Sequence, residues 1–121
     1  MTNLNFEDII GRYFNLNLKR DNYRIYVEEA GQGTPLLCLH TAGSDGRQFR
    51  HILNDKRITN NYRVIVFDLP WHGKSNPPEG YELKDYKLTT DLYKEIIMSF
   101  CKQYKLIDPV IMGCSMGGRV V

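Results

Sequence analysis

Val110-Ile111-Met112 runs without a break into Gly113-Cys114-Ser115-Met116-Gly117, and no other feature constrains the fold of these 121 residues as tightly. A short apolar run bounded by turn signals suits a buried strand, and Gly117-Gly118-Arg119-Val120-Val121 reads as the opening of a helix. A chain that passes from strand to helix so abruptly leaves no room for a Cβ at the flanking positions, which accounts for glycine two residues before and two residues after the serine. The pattern is the G-x-S-x-G of a nucleophile elbow. It predicts a strained, exposed Ser115 at a helix N-terminus, where backbone N–H groups and the helix dipole favour an oxyanion and the Met116 amide is the expected donor. A serine that only capped a helix would need no glycine on both sides.

A buried strand needs a sheet around it, and the preceding residues supply candidates. Arg12 to Leu18 and Tyr23 to Glu29 are β-prone runs separated by Lys19-Arg20-Asp21-Asn22, a turn-forming stretch, and predict an antiparallel hairpin. Gly31-Gln32-Gly33-Thr34-Pro35 breaks the chain before Leu36 to Leu39, a continuous apolar run suited to a strand covered on both faces. From Asp45 onward Gln48, Phe49, Ile52 and Leu53 stand at helical spacing, and Asn60-Asn61 precedes a further strand, Arg63 to Phe67. Leu69 to Gly80, rich in Pro and Gly, reads as a loop. Leu88, Leu92, Tyr93, Ile96, Ile97 and Phe100 then recur every three or four residues, the stripe of an amphipathic helix from about Tyr86 to Tyr104. Strands alternating with helices predict an α/β fold with a mainly parallel sheet, with the hairpin along one edge and ligands at the carboxyl ends of the strands.

The length suits one domain, and 42% apolar with 25% charged residues excludes the disordered, collagenous and membrane classes. The net charge is +2, with 16 Lys and Arg scattered among 14 Asp and Glu, so no nucleic-acid partner is expected. No apolar run approaches the ~20 residues that cross a bilayer. The N-terminus lacks the basic and apolar regions of a secretory signal, so the expected location is cytoplasmic and no membrane partner is expected. Cys38, Cys101 and Cys114 lie far apart in apolar contexts, which reads as free thiols rather than a disulfide framework or metal cluster.

No cofactor-binding pattern survives inspection. Gly73-Lys74-Ser75 follows a strand as a phosphate loop does, but Asp68 stands where the first glycine belongs and Asn76-Pro77-Pro78 where a helix must begin. Gly113 to Gly118 is no dinucleotide fingerprint, since position 115 is serine.

Two further segments stand beside the elbow: His40-Thr41-Ala42-Gly43, directly after the strand Leu36 to Leu39, and Val64-Ile65-Val66-Phe67-Asp68-Leu69-Pro70-Trp71-His72-Gly73-Lys74-Ser75. In order and spacing the three segments resemble the α/β-hydrolase family, serine hydrolase or esterase-like branch, from about residue 10 to the end. The resemblance implies that residues 1–121 are a single partial domain, the N-terminal half of that fold without its later strands and cap. It implies Ser115 as nucleophile and the amide of Ala42 as a second oxyanion donor beside Met116. His40 and Gly43 would shape the oxyanion loop, and Gly113 and Gly117 the elbow. Thr41 departs from the family's usual glycine. Because the family's triad runs Ser, then Asp or Glu, then His, both partners are expected after residue 121, and His40, His51 and His72 are not expected to be the base. Asp68 is read as a loop anchor, and Cys114 as packing.

The implied substrate is a small molecule: an ester, a thioester or an activated carbon–carbon bond, with no cofactor and no metal. A serine at the elbow disfavours the dehalogenase and epoxide-hydrolase branches, which use aspartate. The other reading is a non-catalytic remnant or assembly subunit, in which the strand at Val110 to Met112 offers an open edge for self-association.

Overall fold

The computed structural model describes residues 4–18, 21–41, 43–77 and 89–113. The hairpin forms from β1 (Ile10–Asn17) and β2 (Asn22–Ala30), with Leu16 opposite Tyr23 and Phe14 opposite Ile25. In β2 the side chains of Tyr23, Ile25 and Val27 are buried while Arg24 between them is exposed, the alternation of a strand with one covered face.

Three more strands follow: β3 (Thr34–Leu39), β4 (Tyr62–Phe67) and β5 (Val110–Gly113). The sheet order among the described residues is β1-β2-β4-β3-β5. β3 pairs in parallel with both β4 and β5, and β2 pairs antiparallel with β1 and β4, so only β2 runs against the others. Leu37, Cys38 and Leu39 in β3 and Val64 to Phe67 in β4 are buried whichever way they point, as expected of central strands covered on both faces.

Between β3 and β4 the chain forms a 3₁₀ turn at Gly46–Phe49, then α1 (Arg50–Leu53) and α2 (Lys56–Thr59), rather than one continuous helix from Asp45. The carboxylates explain the division. Asp45 accepts the Arg47 N–H at 2.9 Å and Asp55 accepts the Arg57 N–H at 3.0 Å, each in an extended conformation that starts a new element.

Helix α3 (Thr90–Gln103) buries Tyr93, Ile96, Ile97 and Phe100, the expected stripe. It begins later than Tyr86 because Thr89 is extended and its hydroxyl accepts the Leu92 N–H at 3.1 Å, while residues 86–88 lie outside the described residues. At its end Leu106 N–H reaches the Cys101 carbonyl at 2.9 Å and Lys105 N–H the Lys102 carbonyl at 3.2 Å. That is a Schellman ending, with Lys105 at φ +59° where glycine is usual.

The two connections cover opposite faces of the sheet. α3 packs with Ile25, Val27, Leu37, Leu39, Ile65 and Phe67 on one side, with the Phe67 and Phe100 rings stacked 4.5 Å apart. Phe49, Leu53 and Ile58 pack with Cys38, Val64 and Val66 on the other. Neighbouring strands whose outgoing connections leave toward opposite faces open a crevice at their carboxyl ends, here between the ends of β3 and β4. Cys38 lies in this core as a free thiol, pushed up to about 12 by burial, and burial also raises the half-buried Cys101. Cys114 lies outside the described residues.

Candidate active site

The register of the parallel strands sets the site. Leu39 at the end of β3 is the partner of Gly113 at the end of β5, and Cys38 is the partner of Val66 in β4. His40, Asp68 and Gly113 therefore stand side by side at one end of the sheet. Ala42, Ser115, Met116 and Gly117 lie outside the described residues.

His40 is fully buried and held at both nitrogens. Its Nδ1 lies 2.8 Å from the Thr41 carbonyl, which can only accept, and its Nε2 lies 3.0 Å from the Leu69 N–H, which can only donate. The two contacts admit one arrangement, a neutral ring with the proton on Nδ1 and the Nε2 lone pair occupied. Burial is the largest cause of a pKa below the usual histidine value; the Thr41 carbonyl opposes it and His72 adds to it. A histidine so held has no free lone pair with which to take a proton. The Tyr93 hydroxyl donates to the His40 carbonyl at 3.3 Å, so one residue joins the ends of β3 and β4 to α3.

After His40 the chain turns. Ser44 N–H donates to the Thr41 carbonyl at 3.2 Å, Gln48 Oε1 accepts the Thr41 N–H at 3.0 Å, and Gly43 takes φ +75°. His72 reaches this turn from the loop after β4: its Nε2 accepts the Gly43 N–H at 3.3 Å while its Nδ1 donates to the Pro70 carbonyl at 2.9 Å. The His40 and His72 rings stand 5.2 Å apart. His51 is exposed on α1.

Asp68 anchors the second loop. Its Oδ1 accepts the Gly46 N–H at 2.7 Å and its Oδ2 the Lys74 N–H at 2.9 Å. Ser75 Oγ donates to the Asp68 carbonyl at 2.5 Å and accepts the Tyr26 N–H at 2.9 Å. A Cβ on Gly73, at φ +52°, would fall 2.3 Å from Asp68 Oδ2, so glycine is required there twice over. Gly73-Lys74-Ser75 thus closes on Asp68 and on strand β2, and its serine hydroxyl is already engaged at both ends.

A cavity of about 440 Å³ opens between the two loops, lined by Gly43, Ser44, Asp45, Trp71, His72 and Gly73. Asp45 is held below the usual carboxylate range, chiefly by hydrogen bonds from the Arg47 side chain. Among the described residues no three His, Cys, Asp or Glu side chains are grouped to hold a metal ion. No helix among them is long and apolar enough to cross a membrane.

Sequence reasoning did not find the parts played by Tyr93 and Gln48. Tyr93 sat in the apolar stripe of α3, and the one available signal was a tyrosine at a core position, where its hydroxyl must find a partner.

A family model described as alpha/beta hydrolase fold matches residues 34–121. The AB hydrolase superfamily protein YisY of Bacillus subtilis (strain 168) is 31% identical over 103 residues, taking in 83% of this chain and 35% of that protein. A crystal structure of the N-acyl homoserine lactonase AidH complexed with N-butanoyl homoserine matches with a TM-score of 0.73 at 32% identity, over 90% of this chain and 38% of that one. The epoxide hydrolase VrEH1 from Vigna radiata, 19% identical, shares the fold with a TM-score of 0.74 over 93% of this chain and 34% of its own. The chain spans about a third of the length of the curated relatives it matches.

Proposed function

The chain belongs to the alpha/beta hydrolase fold family, and from that membership we propose that it is the nucleophile-bearing part of a serine hydrolase that cleaves a small ester or a related acyl substrate through an acyl-enzyme on Ser115. The observation that carries this reading is the pairing of Leu39 with Gly113. Gly113 stands two residues before Ser115 in the chain and Leu39 three residues before Ala42, so the pairing supports reading the elbow and the oxyanion loop as parts of one site.

In the proposed reaction Ser115 Oγ attacks the substrate carbonyl carbon and the amides of Ala42 and Met116 hold the oxyanion. The tetrahedral intermediate collapses to an acyl-serine with loss of the alcohol, and water then releases the acid. His40 serves as a brace: occupied at both nitrogens, it fixes the start of the oxyanion loop against Leu69. His72 likewise braces Gly43. The general base and its carboxylate partner are assigned to residues outside these 121, because both ring nitrogens of buried His40 and of half-buried His72 are already engaged.

Likeness of fold extends to an epoxide hydrolase and does not choose the nucleophile. The residue at the elbow does, and here it is serine. The similarity to a lactonase at 32% identity supports widening the ester class to lactones; thioesters and activated carbon–carbon bonds remain in the proposed range. The test is hydrolysis of p-nitrophenyl acetate by the full-length protein and by Ser115→Ala. Loss of about 10⁴-fold or more in kcat on substitution supports the reading; equal rates for the two folded proteins refute it and favour a non-catalytic remnant or assembly subunit.

A further inference from the structure

Thr41, the residue before the proposed oxyanion donor, is tied down at both of its backbone polar groups. Its carbonyl accepts from His40 Nδ1 at 2.8 Å and from the Ser44 N–H at 3.2 Å, and its N–H donates to Gln48 Oε1 at 3.0 Å. A backbone N–H can only donate, so the oxygen end of the Gln48 amide must face it. His40 and Ser44 lie within three residues of Thr41, whereas Gln48 is seven residues on, in the 3₁₀ turn Gly46–Phe49.

That turn is a firm base. Phe49 packs with Cys38, Val64 and Val66, Gly46 N–H donates to Asp68 Oδ1 at 2.7 Å, and a Cβ on Gly46 would fall 2.9 Å from Val66 Cγ1. Gln48 stands between these two anchors, so its half-buried side chain reaches back to the loop from a fixed point. The turn itself does not use that side chain. It is closed by the Gln48 N–H on the Asp45 carbonyl at 3.2 Å and capped by the Asp45 carboxylate on the Arg47 N–H. The Gln48 amide therefore serves the loop after β3 rather than the turn that carries it.

Ala42 follows Thr41 in the chain, and the carbonyl of one residue shares a rigid plane with the N–H of the next. We propose that Gln48 is a positioning residue for the oxyanion hole: by holding the Thr41 N–H it fixes the peptide plane that aims the Ala42 amide at the developing oxyanion. The proposal rests on the serine-hydrolase reading above and adds to it a residue that touches no substrate and acts through Thr41.

Four full-length variants test it on p-nitrophenyl acetate and on its thiono analogue, in which sulfur replaces the carbonyl oxygen. Sulfur accepts hydrogen bonds weakly, so a well-aimed oxyanion hole favours the ester over the thionoester. Gln48→Leu and Gln48→Ser bring no oxygen to the Thr41 N–H, and each is expected to lose about 10- to 100-fold in kcat on the ester with KM within about twofold. Their ratio of kcat/KM for ester over thionoester is expected to fall at least about fivefold. Gln48→Glu, which keeps an oxygen on the same framework, is expected to restore both. A role in stability alone would lower the two substrates alike, so an unchanged ratio in folded Gln48→Leu or Gln48→Ser overturns the proposal. A ratio that falls and is not restored by Gln48→Glu overturns it too. Ser115→Ala separates this from failure of the catalytic reading. If that protein is inactive while the Gln48 variants keep the natural rate and ratio, the serine reading stands and the role of Gln48 falls. If it cleaves the ester at the natural rate, both fall.

Discussion

His40 Nε2 accepts the backbone N–H of Leu69 at 3.0 Å, tying the end of one central strand to the first residues after its neighbour. Loss of that acceptor leaves a buried amide without a partner and a void beneath the loop, so His40→Ala is expected to cost about 2–4 kcal/mol, measured by urea unfolding. The same bond gives a pH dependence. The folded ring titrates below the usual value, so on acidification the unfolded chain is protonated first. Stability from His40 is fully present above about pH 6.5 and is lost as the pH falls from there toward the folded value. His40→Gln, which can keep an acceptor for Leu69 but does not titrate, is expected to lose less stability than the natural protein between about pH 7.5 and 5.5.

A second acid-sensitive group lies at Glu29, where β1, β2, β4 and α3 meet. Its carboxylate accepts two bonds from Arg63, at 3.0 and 3.1 Å, a third from the Tyr104 hydroxyl, and lies 3.5 Å from Arg12. Burial works against the charged form, but the bonds from Arg63 and Tyr104 outweigh it and the pKa is lowered. This contribution is present above about pH 4.3 and is lost as the pH falls through the folded value. Glu29→Gln is expected to cost about 1–3 kcal/mol near neutrality and to flatten the stability profile below about pH 4.3, in contrast to the histidine effect at higher pH.

The Schellman ending of α3 offers a stabilising change. Lys105 is exposed at φ +59°, and a side chain in that region costs about 1–2 kcal/mol that glycine does not incur. Lys105→Gly is therefore expected to raise stability by about 1 kcal/mol after the added flexibility of the unfolded chain is subtracted. Thermal melts of the two proteins check the sign.

Gly73→Ala is expected to act in the opposite direction. A methyl group there meets Asp68 Oδ2 at 2.3 Å and Cγ at 2.7 Å in a left-handed backbone, and the clash must push the carboxylate off the Gly46 and Lys74 amides. A loss of about 2–4 kcal/mol is expected, with the loop between Asp68 and Ser75 the first to gain hydrogen exchange.

Periodicity made much of this architecture legible. Leu36 to Leu39, Arg63 to Phe67 and the stripe from Leu92 to Phe100 announce two buried strands and an amphipathic helix, because their partners lie uniformly on one or both sides. The helix expected after Asp45 did not survive as one piece, since Asp45 and Asp55 bond to the backbone two residues ahead and restart the chain each time. Contacts between distant residues left no trace in any window of sequence. Leu69 and His40, Tyr93 and His40, and His72 and Gly43 meet only because β3 lies beside β4 and under α3. The left-handed Trp71 was hidden for the opposite reason, its side chain arguing locally against the conformation it holds.

The most direct test of the central claim is the mass of the full-length protein after incubation with a fluorophosphonate, followed by fragmentation of the peptide that carries residue 115. A single phosphonyl adduct on Ser115, absent from Ser115→Ala, is the expected result. An unmodified Ser115 in folded protein that hydrolyses esters, or an adduct on a different residue, contradicts the assignment.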